Sequence, residues 1–149
     1  MPTSNKEQFV FDSNFAIALL DEKDVYHSKA GQVLSAILND EAQVFLSDVL
    51  INEVLSVLAR RCEERGEGKK LKMFVDRFKK TITGLPIICL YELMPKHIPQ
   101  VMRILIDHQG CFNFHDALFI FFLKQVPKVN FVTFDKDFQK VPAIRVYPG

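Results

Sequence analysis

Asp12, Glu53, Asp116 and Asp135 are the residues of this chain best suited to chemistry, because each places a charge where a core would not want one. Asp12 ends the apolar run Gln8-Phe-Val-Phe, and Glu53 interrupts the helix-like run Val49–Ala59. Asp116 opens the apolar stretch Ala117–Leu123, and Asp135 follows Asn130-Phe-Val-Thr-Phe. An unpaired carboxylate is costly to bury, so such groups are normally solvated, paired or bound to a metal. If the four converge, they form an oxygen-rich pocket for a hard divalent cation. The histidines His27, His97, His108 and His115 form no ligand-spaced pair, which argues against zinc.

Each acid also has a plainer role open to it. Asp12 is a candidate N-cap for a helix beginning at Asn14, and Asp135 for a short turn through Lys136–Phe138. Asp116 falls in the first turn of a helix capped by Asn113, where an acid complements the helix dipole. Glu53 resists such an account: on a helical wheel it lies between Val49 and Val57, while Asn52 and Ser56 mark the polar sector. Its alternative is an edge position with a packed stem and a solvated head. Two neighbours add to the chemistry. Asn14 lies two residues after Asp12 and Thr133 two before Asp135, and both side chains can orient a carboxylate or a bound water. Asp137 competes with Asp135 for the fourth position; Asp135 is preferred as nearer the predicted strand end.

The elements that must position these residues alternate regularly. Strands are predicted at Gln8–Phe11, Gln43–Leu46, Pro86–Tyr91, Val129–Thr133 and Ala143–Val146. Helices are predicted at Asn14–Leu20, Val25–Leu38, Val49–Arg65, Gly68–Thr83, Lys96–Asp107 and Asn113–Lys124. Alternation over these distances predicts an α/β fold, a three-layer α/β/α sandwich around a central, mostly parallel five-stranded sheet. The strands are almost continuously apolar, as expected where helices cover both faces. Such sheets carry their sites beyond the carboxyl ends of the strands, where Asp12 and Asp135 both fall.

Composition sets the outer bounds. A chain of 149 residues fits a single domain spanning 1–149, and 48% hydrophobic with 25% charged residues is ordinary for a globular protein. Fourteen Phe and no Trp predict a Phe-packed core. Cys62, Cys89 and Cys111 are odd in number and widely spaced, and read as free thiols in a reducing compartment. With no signal-peptide pattern at the N-terminus and no apolar run of membrane-spanning length, the chain reads as a soluble cytoplasmic protein.

The ordered set of motifs resembles the PIN domain family. Phe-Val-Phe-Asp12-Ser-Asn14 is similar to that family's opening strand and "D-S/T-N" signature, and Ser47-Asp-Val-Leu-Ile-Asn-Glu53 to its second motif. Phe114-His-Asp116-Ala117 resembles the "D-A" motif of the late buried helix, and Phe131-Val-Thr133-Phe-Asp135-Lys-Asp-Phe138 the closing "T-x-D-x-D-F" element. The resemblance spans essentially the whole chain. It implies a metal-dependent ribonuclease, of the kind that includes VapC-type toxins. It further implies a Mg²⁺ or Mn²⁺ site made by Asp12, Glu53, Asp116 and Asp135, an RNA substrate, an antitoxin protein partner and a homodimer. Two features fall outside the pattern: His115 before Asp116, and the charged segment Glu63–Lys72.

The formal charge of +1 gives no global pull on nucleic acid. Locally, residues 60–80 hold nine Lys/Arg against four acids, a basic stretch able to grip a phosphate backbone or simply to face water. In VapC-like proteins the corresponding helices also contribute to dimer and antitoxin contacts. Two other function classes stay open: a catalytically silent scaffold binding RNA or protein, and a phosphohydrolase of the haloacid-dehalogenase kind. The latter calls for a second Asp where this chain has Asn14.

Overall fold

The structure, a computed structural model, describes residues 5–149. Five strands form one sheet: β1 (Gln8–Phe11), β2 (Gln43–Ser47), β3 (Ile87–Ile88), β4 (Asn130–Val132) and β5 (Arg145–Tyr147). Their order is β3-β2-β1-β4-β5 and every pairing is parallel, so the expected mostly parallel sheet is parallel throughout. The helices are α1 (Ser13–Leu20), α2 (His27–Asn39), α3 (Asp48–Glu64), α4 (Leu71–Ile82), α5 (Met94–Asp107) and α6 (Phe114–Gln125). None is long and apolar enough to cross a membrane.

Central position explains the sequence of β1. Phe9, Val10 and Phe11 are all buried because β2 and β4 flank the strand and helices cover the sheet. The expected Phe core is present: Phe119, Phe131, Phe138 and Phe112 follow one another at centroid separations of 5.1, 4.9 and 5.0 Å. Burying each such ring stabilises the fold by about 2–3 kcal/mol. Helices α1 to α4 form one packed group and α5 with α6 another.

Several predicted elements changed bounds. The helix expected over Gly68–Thr83 is a tight 3-10 turn at Gly68–Lys70 followed by α4, and the helix expected from Lys96 starts at Met94. The strand expected over Val129–Thr133 is paired at Asn130–Val132, and the last strand lies at Arg145–Tyr147 rather than Ala143–Val146. The strand expected over Pro86–Tyr91 is paired only at Ile87–Ile88, at the sheet edge. Beyond it, Asp48 accepts the backbone N–H groups of Leu90 (2.8 Å) and Tyr91 (3.3 Å) and turns the chain away from the ladder. The helix expected from Val25 starts at His27, because Asp24 takes the Tyr26 N–H at 2.9 Å and makes a turn there. Helix α3 ends at Glu64 and Gly66 (φ +66°) prevents its continuation, with Glu67 N–H reaching Cys62 C=O (2.8 Å) and Gly66 N–H reaching Glu63 C=O (3.0 Å). That left-handed stop folds α4 back along α3.

The strand order places the site. From β1 the chain builds outward through β2 to β3, then returns to the other side of β1 to add β4 and β5. The direction therefore reverses between β1 and β4, and the crevice beyond their carboxyl ends is where such sheets bind ligands. Asp12 follows β1, and Thr133 and Asp135 follow β4.

Candidate metal centre

Asp12 is 4% exposed and is held from three directions. Its N–H donates to Val132 C=O (2.9 Å), one carboxylate oxygen accepts the Ser13 N–H (2.7 Å), and the other accepts the Thr133 hydroxyl (2.7 Å). Thr133 Oγ1 in turn accepts from Asn14 Nδ2 (3.1 Å) and from the Asp135 N–H (3.0 Å). Asn14 Oδ1 takes the Phe134 N–H at 3.2 Å. The two neighbours singled out in the sequence thus stitch the end of β1 to the end of β4, and Thr133 is the common knot.

Asp116 sits in the first turn of α6 in a capping box: Asn113 Oδ1 accepts the Asp116 N–H (2.9 Å) and Asp116 accepts the Asn113 N–H (3.0 Å). Asp135 caps the short turn Lys136–Lys140, accepting the Asp137 N–H at 2.9 Å. The capping roles foreseen for Asp12, Asp116 and Asp135 are therefore all filled, and they coexist with a shared electrostatic neighbourhood. Burial lifts the Asp12 carboxyl; the Thr133 and Ser13 donors pull it down, Asp116 and Glu53 push it up, and it rests at about 7. Burial likewise lifts Asp116, opposed by the Asn113 N–H and reinforced by Glu53 and Asp135, to about 6. Each of the four acids thus takes part in this mutual repulsion. Asp137, by contrast, is bound by Lys140 at 2.6 Å, which holds its carboxyl below the usual range.

Glu53 is held by residues that the sequence reading did not assign. His115 Nδ1 lies 2.9 Å from Glu53 Oε1, His115 Nε2 lies 3.3 Å from the Tyr91 hydroxyl, and Asn52 Nδ2 donates to that hydroxyl at 2.9 Å. With a neutral ring, the bonding assigns the proton to Nδ1: Tyr91 O–H donates to Nε2 and Nδ1–H donates to Glu53. The signal in the sequence was the unexpected histidine before Asp116. Tyr91 was invisible there, because only the turn held by Asp48 brings it across.

No Lys or Arg among the described residues makes an ion pair with any of the four acids; the His115 ring is the partner of Glu53. Nor are three or more His, Cys, Asp or Glu side chains among those residues already gathered to hold a metal ion. The donor set, oxygen throughout and with Asp12 buried beside no lysine or arginine, fits Mg²⁺ or Mn²⁺.

The basic stretch is mostly spoken for. Six of its nine cations, Arg60, Arg61, Arg65, Lys70, Lys72 and Arg77, stand in ion pairs. Asp21, the C-cap of α1, receives Arg61 at 2.8 Å and Arg65 at 3.0 Å, and so ties the α3–α4 hairpin to α1.

Comparison with known proteins follows this geometry. The PIN domain family model matches residues 9–144. No curated protein matches the chain. Among solved structures, VapC20 of Mycobacterium tuberculosis, described as a sarcin–ricin-loop-cleaving toxin, is 19% identical with a TM-score of 0.68, covering 89% of this chain and 93% of its own. VapBC2 of Rickettsia felis bound to promoter DNA is 12% identical with a TM-score of 0.66, covering 93% and 96%. DNA-bound VapBC of Salmonella typhimurium is 16% identical with a TM-score of 0.63, covering 94% and 96%. At these identities the likeness is one of fold.

Proposed function

Because the chain belongs to the PIN domain family, we propose that it is a divalent-metal-dependent endoribonuclease and the toxin of a toxin–antitoxin pair. One observation supports the reading: Asp12 is buried at the end of β1, Asp116 and Glu53 repel it, Glu53 and Asp135 repel Asp116, and among the described residues no lysine or arginine pairs with any of the four. Asp12, Asp116 and Asp135 would hold the ion, and Glu53 would hold it or take a proton from the attacking water. Bound there, Mg²⁺ or Mn²⁺ supplies Lewis acidity toward water and phosphate. Thr133 and Asn14 keep the Asp12 and Asp135 backbones in register, and His115 with Tyr91 fixes the Glu53 carboxylate. Retention of all four acids counts against a catalytically silent scaffold.

The solved VapBC complexes and the toxin described as sarcin–ricin-loop-cleaving support an antitoxin partner and an RNA substrate. A homodimer is supported by the exposed apolar stripe Ile98, Met102 and Ile106, one residue per turn of α5. The test is cleavage of single-stranded RNA by purified protein with Mg²⁺ or Mn²⁺, lost on chelation and in Asp12→Asn and Asp116→Asn. Activity that survives chelation, or both substitutions, removes the site assignment. Growth arrest on expression, relieved by a neighbouring open reading frame, tests the toxin role separately.

A further inference from the structure

A groove of about 510 Å³ opens between the α1–α2 connection, α3 and the turn after β4. Asn14 and Asp135 form part of its wall, so it is continuous with the acid cluster. Farther along, Tyr26 and Phe134 stack with centroids 4.8 Å apart and planes 19° from parallel. Phe134 rests against fully buried Phe15 at 5.6 Å, and the Lys29 ammonium stands 5.5 Å from its centroid. The platform is therefore braced from the core. Tyr26 gives one ring face to Phe134 yet remains 44% exposed, which leaves a face for another π-system.

Charge in the groove is uneven. Asp24 is neutralised by Arg61 at 2.9 Å and uses its other oxygen to fix the Tyr26 backbone. Arg60 keeps a largely exposed side chain, with only a 3.9 Å approach to exposed Glu64. A polyanion approaching four acids needs cations beside them; Arg60 lines the groove, and Lys29 stands at its Phe134 wall.

We infer that this groove is a nucleotide subsite: Tyr26, backed by Phe134, stacks an unpaired base of single-stranded RNA next to the scissile phosphate, while Arg60 and Lys29 contact the flanking phosphates. The inference rests on the nuclease reading and names the form of its substrate. Bases within a duplex are stacked on each other and cannot reach such a platform, so the subsite selects splayed single strands, loops or bulges. Aromatic stacking discriminates base from no base but hardly one base from another.

The test measures fluorescence anisotropy of a labelled single-stranded oligoribonucleotide, and of the same strand with abasic sites, without divalent metal so that no cleavage intervenes. Tyr26→Ala is expected to weaken binding of the intact strand roughly tenfold and to leave the abasic strand unchanged, with Tyr26→Phe restoring it. Arg60→Ala is expected to weaken both strands and to lower the slope of log K against log salt by about 1. Wild-type affinity in both alanine variants overturns the subsite and leaves the groove to a protein partner. Cleavage assays separate the two readings. A wild type that cleaves, with variants that keep its KM, sinks the subsite alone; a wild type that binds through Tyr26 and never cleaves supports the subsite and sinks the nuclease.

Discussion

Asp12 and Asp21 stand at opposite ends of α1, are of the same type and are 4% and 1% exposed, yet their chemistry is opposite. Burial raises both. At Asp21 the bonds from Arg65 and Arg61, with the Lys23 N–H, overcome it and hold the carboxyl at about 2. At Asp12 the donors are a hydroxyl and an amide, the neighbouring charges are negative, and the carboxyl sits at about 7. The fall from 3.8 to about 2 corresponds to about 2 kcal/mol in favour of the folded chain at neutral pH; the rise from 3.8 to about 7 corresponds to about 4 kcal/mol against it. A buried acid with its cation supplied from within the chain is architecture. One without it carries that cost unrelieved, which is the condition the proposed cation site would relieve.

That contrast can be broken most sharply at Asp12. Asp12→Asn should reduce metal-dependent cleavage by more than about a hundredfold, yet raise Tm at pH 8 by about 4–8 °C as roughly 2 kcal/mol of repulsion and desolvation is relieved. A destabilised Asp12→Asn protein would show that the carboxylate is structural after all. Asp21→Ala should act in the opposite sense: two arginines lose their partner, about 3 kcal/mol is lost, and Tm falls by about 6–12 °C. Cleavage measured well below that Tm should survive, and its loss would make the Asp21 knot part of the site.

A divalent cation should narrow the difference between the two regions. Mg²⁺ or Mn²⁺ at about a hundred times its Kd should stabilise the protein by about 2.7 kcal/mol, followed as a rise in Tm at pH 8. The rise should shrink at pH 5.5, where Asp12 and Asp116 retain protons, and vanish in Asp12→Asn. Equal stabilisation at both pH values would place the ion elsewhere.

Titration without metal sharpens the signs. Asp21 has a depressed pKa, so its contribution is complete above about pH 4 and is lost as pH falls toward 2. Asp12 has a raised pKa, so its cost grows as pH climbs from about 4 to 7 and is constant beyond. Urea midpoints should therefore fall between pH 4 and 7 in the wild type more steeply than in Asp12→Asn. The smallest change is expected at the support of Glu53: His115→Phe removes one hydrogen bond, costs about 1 kcal/mol and should lower kcat rather than raise KM. A shift confined to KM would mean that His115 meets the substrate instead.

Much of the arrangement was legible in the chain. β1 matched its predicted bounds, because three successive Phe/Val residues between Gln8 and Asp12 leave little latitude. Asn113 caps α6 as expected, since capping is a local contact between residues three apart. The predicted strand Pro86–Tyr91 shortened because Asp48, forty-odd residues away, competes for its backbone donors. The basic stretch was misleading in bulk: its charges are largely absorbed by Asp21, Asp24, Glu67 and other acids, and of the two arginines that line the groove Arg61 is taken up by Asp21 and Asp24. Sequence distance hid those pairings, since Asp21 and Arg65 lie 44 positions apart.

By itself the sequence determined the kinds of element, their order and the placing of three acids at the ends of strands and the start of a helix, all of which follow from local periodicity and capping. Only the tertiary structure decided which buried acid is paired and which is not. Coulomb energy depends on distance in space and on the water excluded from between the charges, and neither is written in residue order. Asp12 and Asp21 are indistinguishable as letters; folding gave Asp21 two arginines and Asp12 the carboxylates of Asp116 and Glu53.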